Sequence, residues 1–418
     1  MGKTAVSHLV RNLIVVCDFA TLSGGAENIA LTTAKTAAEA GINVVFFYAS
    51  GTPDQMLNNP RIRLVTTGQE RFGTGSVSLA KTVQGLWNAK AYQMLLETLL
   101  PFEKGETIVH VHSWGSALSP SIFKAIKRSG LNCVVTGHDY LLACANSCFF
   151  NYQKSCICHV RPYSLRCLLT QCDKEGYLQS VYRFIRGLIQ NRQFEKLKPN
   201  MLYVTAFQES KMQPFVHRRI ASSFVLKNPL PDIDKRFSKN LEPGNAFLFV
   251  GRLVPGKGAE LFCEAVEAEG LNGIVYGTGE LEPHLKARFT KIDFRGWGDP
   301  STIKEAMASC RALVFPSLFY EAAPLSPFEA KCFACLPSIV SSDCSAADSV
   351  IDGKTGLLFQ TGDGSQLRRC LRSLMDDELV LNMKREVKAE APLLSERSLK
   401  RYSESLLSQY DHIIGRNT

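Results

Sequence analysis

The chain has 418 residues, 45% apolar and 21% charged, the make-up of a globular protein of two or three domains. No apolar run reaches the ~18 residues of a membrane span, and the N-terminus has no long apolar core or cleavage site, which argues against a secretory signal. The net charge of +9 is lopsided: residues 1–230 carry 25 Lys+Arg against 13 Asp+Glu, and the remainder 23 against 26. A basic front half points to an anionic partner such as a phospholipid surface, a lipid-linked phosphate or nucleic acid.

In chain order, Leu13–Cys17 is an apolar strand, followed by the turn Gly24-Gly25-Ala26-Glu27 and a helix over about 28–40. The next strand is Ile42–Tyr48, which completes a strand–turn–helix–strand unit of a parallel sheet. Further strands are expected at Thr107–His112, Cys133–Thr136, Met201–Val204 and Ser223–Leu226, with a basic helix over Ser119–Ser129. His138 follows directly on one of these strands, where open sheets present ligand-facing residues.

A loop-rich insertion at about 141–175 holds Cys144, Cys148, Cys156, Cys158, Cys167 and Cys172. Such clusters supply thiolates for tetrahedral zinc. The spacing lacks a tight Cys-x-x-Cys pair, so free thiols, disulfides or an iron–sulfur cluster stay open beside a structural zinc. Cys144, Cys156, Cys167 and Cys172 are the best four-ligand set. The remaining eight cysteines are scattered and read as buried thiols of a reducing compartment. Beyond the insertion, apolar and basic residues alternate at helical spacing over Tyr182–Arg192, which suits an anionic membrane surface or a helix packed on its domain.

Lys227-Asn228-Pro229-Leu230-Pro231 reads as a linker. A second series follows: strands at Phe247–Val250, Gly273–Tyr276, Ile292–Phe294, Ala312–Phe315, Pro337–Val340 and Gly356–Phe359. Helices are expected at Ala259–Glu269 and Thr302–Ser309, and an amphipathic helix at Glu396–Ile414. The fold class is therefore α/β: two Rossmann-like domains, 1–226 and 232–395, facing across a cleft, with a C-terminal helix in 396–418. Ligands of such domains bind above the carboxyl ends of the strands.

Glu321 and Glu329 flank the exit of the Ala312–Phe315 strand, one on the loop and one in the first turn of the next helix, where Pro327 fits. Carboxylates accept hydrogen bonds only, so the pair suits the hydroxyls of a sugar or ribose. Arg252 and Lys257 lie between another strand end and a helix N-terminus, a natural seat for phosphate.

Taken in order, Gly24-Gly25-Ala26-Glu27, Gly137-His138-Asp139, Gly251-Arg252 with Lys257-Gly258, Gly277-x-Gly279, Glu321/Glu329 and Asp352-Gly353-x-x-Gly356 resemble glycosyltransferase family 4, retaining enzymes of the GT-B fold. The resemblance spans about residues 11–415. It implies a C-terminal helix that crosses back to the N-terminal domain. It also implies transfer of a sugar from a nucleotide-sugar donor to a sugar or lipid-linked glycan acceptor, with no catalytic cofactor. On that reading Arg252 and Lys257 hold the diphosphate, Glu321 the donor sugar and Glu329 the ribose. The segment Ala323, Pro324 and Leu325 meets the diphosphate or sugar, and Gly277 and Gly279 line the donor. Phe294 and Arg295 flank the base. Gly24 and Gly25 approach the reacting centre, and His138 lies against the donor sugar. Three departures stand out: Ala322-Ala323-Pro324 replaces a glycine-rich segment, Ala259-Glu260 follows Lys257-Gly258, and Thr278 replaces an acidic residue.

The expected setting is a cytoplasmic enzyme of bacterial-type lipopolysaccharide or exopolysaccharide synthesis, peripheral on the inner face of the plasma membrane. The alternatives are a sugar phosphorylase or sucrose-type synthase, and a metal-stabilised nucleic-acid binder. The last fares poorly, because the basic residues belong to no recognition module.

Overall fold

The computed structural model describes residues 8–72, 79–233 and 241–416. Its first sheet has seven parallel strands: β1 (Asn12–Phe19), β2 (Asn43–Ser50), β3 (Ile62–Thr66), β4 (Thr107–Val111), β5 (Asn132–Gly137), β8 (Asn200–Tyr203) and β9 (Ser222–Val225), in the order β3-β2-β1-β4-β5-β8-β9. A small antiparallel pair, β6 (Phe150–Asn151) and β7 (Cys156–Ile157), stands in the cysteine-rich insertion. The second sheet has six parallel strands: β10 (Ala246–Val250), β11 (Asn272–Tyr276), β12 (Asp293–Gly296), β13 (Ala312–Phe315), β14 (Ser338–Ser341) and β15 (Gly356–Phe359), in the order β12-β11-β10-β13-β14-β15.

Both sheets therefore reverse direction between their first and fourth strands, and a crevice opens at each reversal. The inner strands read as apolar runs because helices cover both faces; all residues of β4 and β13 are buried. β3 escaped the sequence reading. Its Ile-Arg-Leu-Val-Thr is short and broken by Arg63, and it lies half-exposed at the sheet edge. The helices Leu79–Leu86, Ala89–Leu99, Gly364–Ser373 and Asp377–Ala389 also went unread.

The last helix, Leu399–Gly415, lies on the first domain. Tyr402, Leu406, Tyr410 and Ile413 bury one helical face in the core built by β1, β2 and β4. Its ends are fixed by polar contacts: Asp411 accepts from the Val10 amide at 2.9 Å, and Tyr410 meets His110 at 2.5 Å. Where the chain leaves for the second domain and where it returns, the two strands of backbone are tied. Leu230 N–H donates to Arg397 O at 2.8 Å, and the Arg397 guanidinium donates to Asn228 O at 3.0 Å.

The two domains also lock through the loop after β13. Tyr320 sits among Tyr140, Phe149 and Phe207, with the Lys211 ammonium 4.6 Å from its ring centre. Ala322 is buried in the first domain's core, and its carbonyl accepts from Thr205 Oγ1 at 2.8 Å. The methyl of Ala322, a departure from the glycine-rich pattern, is thus used for packing between domains.

Candidate functional site

The loops after β10 and β13 form the second domain's crevice. Gly258 ends the first loop at φ +77, and a Cβ there would fall 1.9 Å from Pro316 O, so only glycine lets the two loops touch. Across this contact Lys257 Nζ meets Glu321 Oε1 at 2.5 Å, and Ser317 Oγ donates to the same oxygen at 3.0 Å. Phe319 lies beneath the Lys257 ammonium, 5.2 Å from ring centre to nitrogen. The Glu321 backbone is held at both sides: its carbonyl accepts from Ser345 N–H at 3.3 Å and faces Tyr140 Oη at 3.5 Å. The two expected donor residues, one on each loop, are therefore already joined.

Arg252 is exposed and has no ion-pair partner among the described residues. Glu329 lies in the first turn of the helix Ser326–Ala334. Its carboxylate takes no hydrogen bond from a described residue, and burial raises its pKa despite Lys304 nearby. A half-buried acceptor without a donor is a seat for a ligand hydroxyl. Ala323 and Leu325 present backbone N–H groups on this corner; Pro324 between them has none, so the expected run of amides reduces to two.

Gly277 and Gly279 do other work. A Cβ on Gly277 would meet Gly251 O at 1.9 Å, and one on Gly279 would meet Leu253 O at 2.3 Å. These glycines let the loops after β10 and β11 pack together, and Leu253 N–H donates to Thr278 O at 2.9 Å across the join. Arg295 is tied to Asp293 at 2.8 Å and to Tyr276 Oη at 3.2 Å, while Phe294 packs against the core. Trp297, one residue past β12 and 74% exposed, offers a free aromatic face that the sequence reading passed over. The signal was there: an isolated Trp between glycines just after a strand.

The first domain's crevice is built differently. A cavity of about 170 Å³ is lined by Asp18, Glu27, His112 and His138, with Ser113–Ser116 and Asp139 around them. The turn Gly24–Gly25 leads into Glu27: a Cβ on Gly25 would meet nothing within 4 Å, whereas one on Gly24 would meet Glu27 Oε2 at 3.0 Å. Asp18 is wholly buried and accepts from the amides of Ser116, Ala117 and Leu118 at 2.8–2.9 Å, which shapes the loop after β4. Three histidines stack behind the cavity: His110 on His112 at 4.1 Å and His112 on His138 at 5.3 Å between ring centres. His112 Nδ1 meets His138 Nε2 at 3.0 Å. Burial pushes His110 down to about 3 and His138 down to about 4, so all three rings are neutral near pH 7. His138-Asp139-Tyr140 then carries the chain from this cavity to the Glu321 loop.

The cysteine insertion packs onto the same loop through Phe149 and Phe150, which meet Tyr320 and Phe319. The set Cys144, Cys156, Cys167 and Cys172 is not gathered. Cys144 and Cys148 share Asn146 Oδ1 at 3.0 and 3.4 Å, and Cys172 Sγ lies 3.5 Å from Asn146 Nδ2. Cys156 is exposed on the β6–β7 hairpin and Cys167 belongs to the short helix Leu165–Leu169. Among the described residues no three His, Cys, Asp or Glu side chains form a group that could hold a metal. A tetrahedral site needs four sulfurs ~2.3 Å from one point, and the Asn146 amide occupies the centre of this cluster instead.

Comparison with known proteins decides the class of the second domain. Residues 232–392 match the family model described as glycosyl transferases group 1. The second domain is thus similar to the group 1 glycosyltransferases. Glycogen synthase of Xanthomonas campestris is 32% identical over 148 residues, 33% of this chain and 31% of that protein. Glycogen synthase of Pseudomonas aeruginosa is 34% identical over 139 residues, 31% and 26% of the two chains. The chain thus spans about a third of the length of the curated relatives it matches. Sucrose-phosphate synthase from Thermosynechococcus elongatus aligns over 97% of this chain and all of its own, at TM-score 0.66 and 15% identity. Anabaena Alr3699/HepE in complex with UDP aligns over 96% and 100%, at TM-score 0.66 and 12% identity. The two-domain GT-B fold extends beyond the glycosyltransferase domain to the whole described chain. Among the described residues no helix is long and apolar enough to cross a membrane.

Proposed function

We propose that the chain is a retaining glycosyltransferase that moves a sugar from a nucleotide-sugar donor to an acceptor hydroxyl. The observation that carries this reading is the Lys257–Glu321 pair at the second crevice, 2.5 Å apart, beside the unpartnered Glu329. Lys257 and Arg252 supply positive charge for a leaving diphosphate, and Glu321 and Glu329 accept from the hydroxyls of the donor sugar and the ribose. On donor binding Lys257 turns from Glu321 to the phosphate, which frees Glu321 for the sugar. The exposed Trp297 extends this surface for stacking of the base. Alr3699/HepE, which shares the fold, is solved in complex with UDP, a nucleotide of the class this reading expects.

The acceptor enters from the first crevice, past Gly24 and Gly25, and meets neutral His138. Its hydroxyl attacks the anomeric carbon on the face from which the diphosphate leaves. The carbon–oxygen bond to the diphosphate breaks with its electron pair on the leaving group, and a phosphate oxygen takes the hydroxyl proton. The configuration is kept. A sugar phosphorylase or sucrose-type synthase is the second reading, favoured by the fold shared with sucrose-phosphate synthase.

Glu321→Ala tests the assignment. Turnover of nucleotide-sugar should fall by roughly 10²–10³-fold, with an unchanged circular dichroism spectrum. Wild-type-like turnover would sink it.

The wider setting follows the same reading: synthesis of a cell-surface lipopolysaccharide or exopolysaccharide from the cytoplasmic side of the membrane. Leu178, Ile185 and Leu188 are exposed on the helix Tyr177–Leu197 with Arg192, a surface suited to anionic lipid. A structural zinc is a separate proposal. It requires the thiols around Asn146 to turn inward with a fourth, and protein purified without chelator should then carry about one zinc per chain by elemental analysis.

A further inference from the structure

A second cavity, about 300 Å³, opens beside the histidine cavity. Gly115, Ser116, Asp139 and Leu141 line both, so the two are neighbouring chambers with a common wall. Arg71, Arg183 and Arg186 line only the second, together with Tyr182.

The three arginines are not equivalent. Arg183 is neutralised by buried Asp173, 2.9 Å away. Arg71 stands exposed at the rim, over the Phe19 ring at 5.2 Å, where β1 runs toward Gly24. Arg186 is different. One terminal nitrogen reaches Trp114 O at a long 3.4 Å, and its Nε is buried with no hydrogen-bond partner. It makes no direct ion pair among the described residues; Asp18 and Asp139 act on it only at longer range. Guanidinium keeps its charge at any physiological pH, and a desolvated cation with an unmet N–H is costly. The helix Tyr177–Leu197 cannot swing this side chain away, because Gln190 pins it: Trp114 Nε1 donates to Gln190 Oε1 at 2.7 Å, and Gln190 Nε2 to Leu141 O at 3.1 Å. Asp139 on the common wall spends one oxygen on the Leu141 amide at 2.8 Å and separates the two chambers.

A chamber lined by neutral histidines thus adjoins a chamber with a guanidinium fork that has no direct ion pair and an unmet Nε–H. We propose that the acceptor is anionic: a phosphate or carboxylate of the acceptor docks on Arg186 and Arg71 while its reacting hydroxyl lies against His138. This rests on the reading of the histidine cavity as the acceptor side.

The test is calorimetric titration of inorganic phosphate, and separately of glucuronate, into the full chain saturated with UDP, which keeps the anions out of the diphosphate site. Wild type should bind at least one of them. Arg186→Gln should weaken that binding about tenfold or more, as loss of a charge-assisted fork predicts. Arg71→Gln, at the exposed rim, should weaken it as well, with the circular dichroism spectrum unchanged. UDP affinity should be unchanged in both variants. Phosphate binding alone points to a phosphorylated acceptor, and glucuronate binding alone to an acidic sugar. The proposal is overturned if neither anion binds wild type, or if both variants bind as wild type does. A chain that fails to bind UDP refutes the donor reading instead, and titrations without UDP still report the arginine chamber through the same variants.

Discussion

The two crevices share one topology and solve opposite problems. In the second domain the loops after β10 and β13 bring out charge: Arg252 is exposed, Lys257 and Glu321 form an ion pair, and Glu329 waits without a partner. In the first domain the loops after β1, β4 and β5 hide it: the histidines are neutral and Asp18 is spent on three amides. On the proposed reading the charged crevice meets a nucleoside diphosphate, and the other, lined by neutral histidines with Glu27 and Asp139, meets an acceptor hydroxyl. One strand order carries both, because the chemistry lies in the loops and not in the sheet.

The sharpest way to break the comparison is at the contact that creates the charged crevice. Gly258→Ala must place a methyl against Pro316 O at positive φ, and should cost about 2–4 kcal/mol in urea unfolding while collapsing nucleotide binding. A stable, active variant would show that the two loops need not touch.

The neutral crevice makes its own prediction. His110 is pushed down to about 3 in the folded chain, against ~6.5 when unfolded. Below pH 6.5 the unfolded chain binds a proton that the folded chain refuses, so stability is complete above that pH and drains away as pH falls toward 3. At pH 5 the loss from His110 is about 2 kcal/mol. Denaturation midpoints at pH 7 and pH 5 read it, and His110→Asn should shrink the difference. An undiminished difference would place the acid sensitivity elsewhere. The smallest effect is on the ribose seat: Glu329→Gln should weaken UDP binding by about 1.5 kcal/mol, close to tenfold, with stability intact. No change in affinity would remove Glu329 from the site.

Much of the second crevice was legible in the sequence because its parts are local. Lys257-Gly258 and Glu321 to Glu329 each follow an apolar strand and precede a helix, and those signals lie within a few residues. That Gly277 and Gly279 also let neighbouring loops pack was not legible, since a glycine that admits a ligand and one that admits a neighbouring backbone look alike in sequence. Pro324 was counted among the amide donors although its ring removes the N–H. The cysteine set is not gathered for a related reason: spacing along a loop-rich insertion says little about which thiols converge, and the meeting of Cys144, Cys148 and Cys172 at Asn146 has no local signal.

By itself the sequence determined two parallel α/β domains, a Pro-rich crossing and a returning amphipathic helix, because period and turn chemistry act over short stretches. Tertiary structure alone decided the rest. It stacked His110, His112 and His138 from two neighbouring strands, set Ala322 into the opposite domain, and left the Arg186 Nε without a hydrogen-bond partner beside the histidine cavity. Those outcomes depend on which distant side chains share one desolvated volume, and no local pattern encodes that.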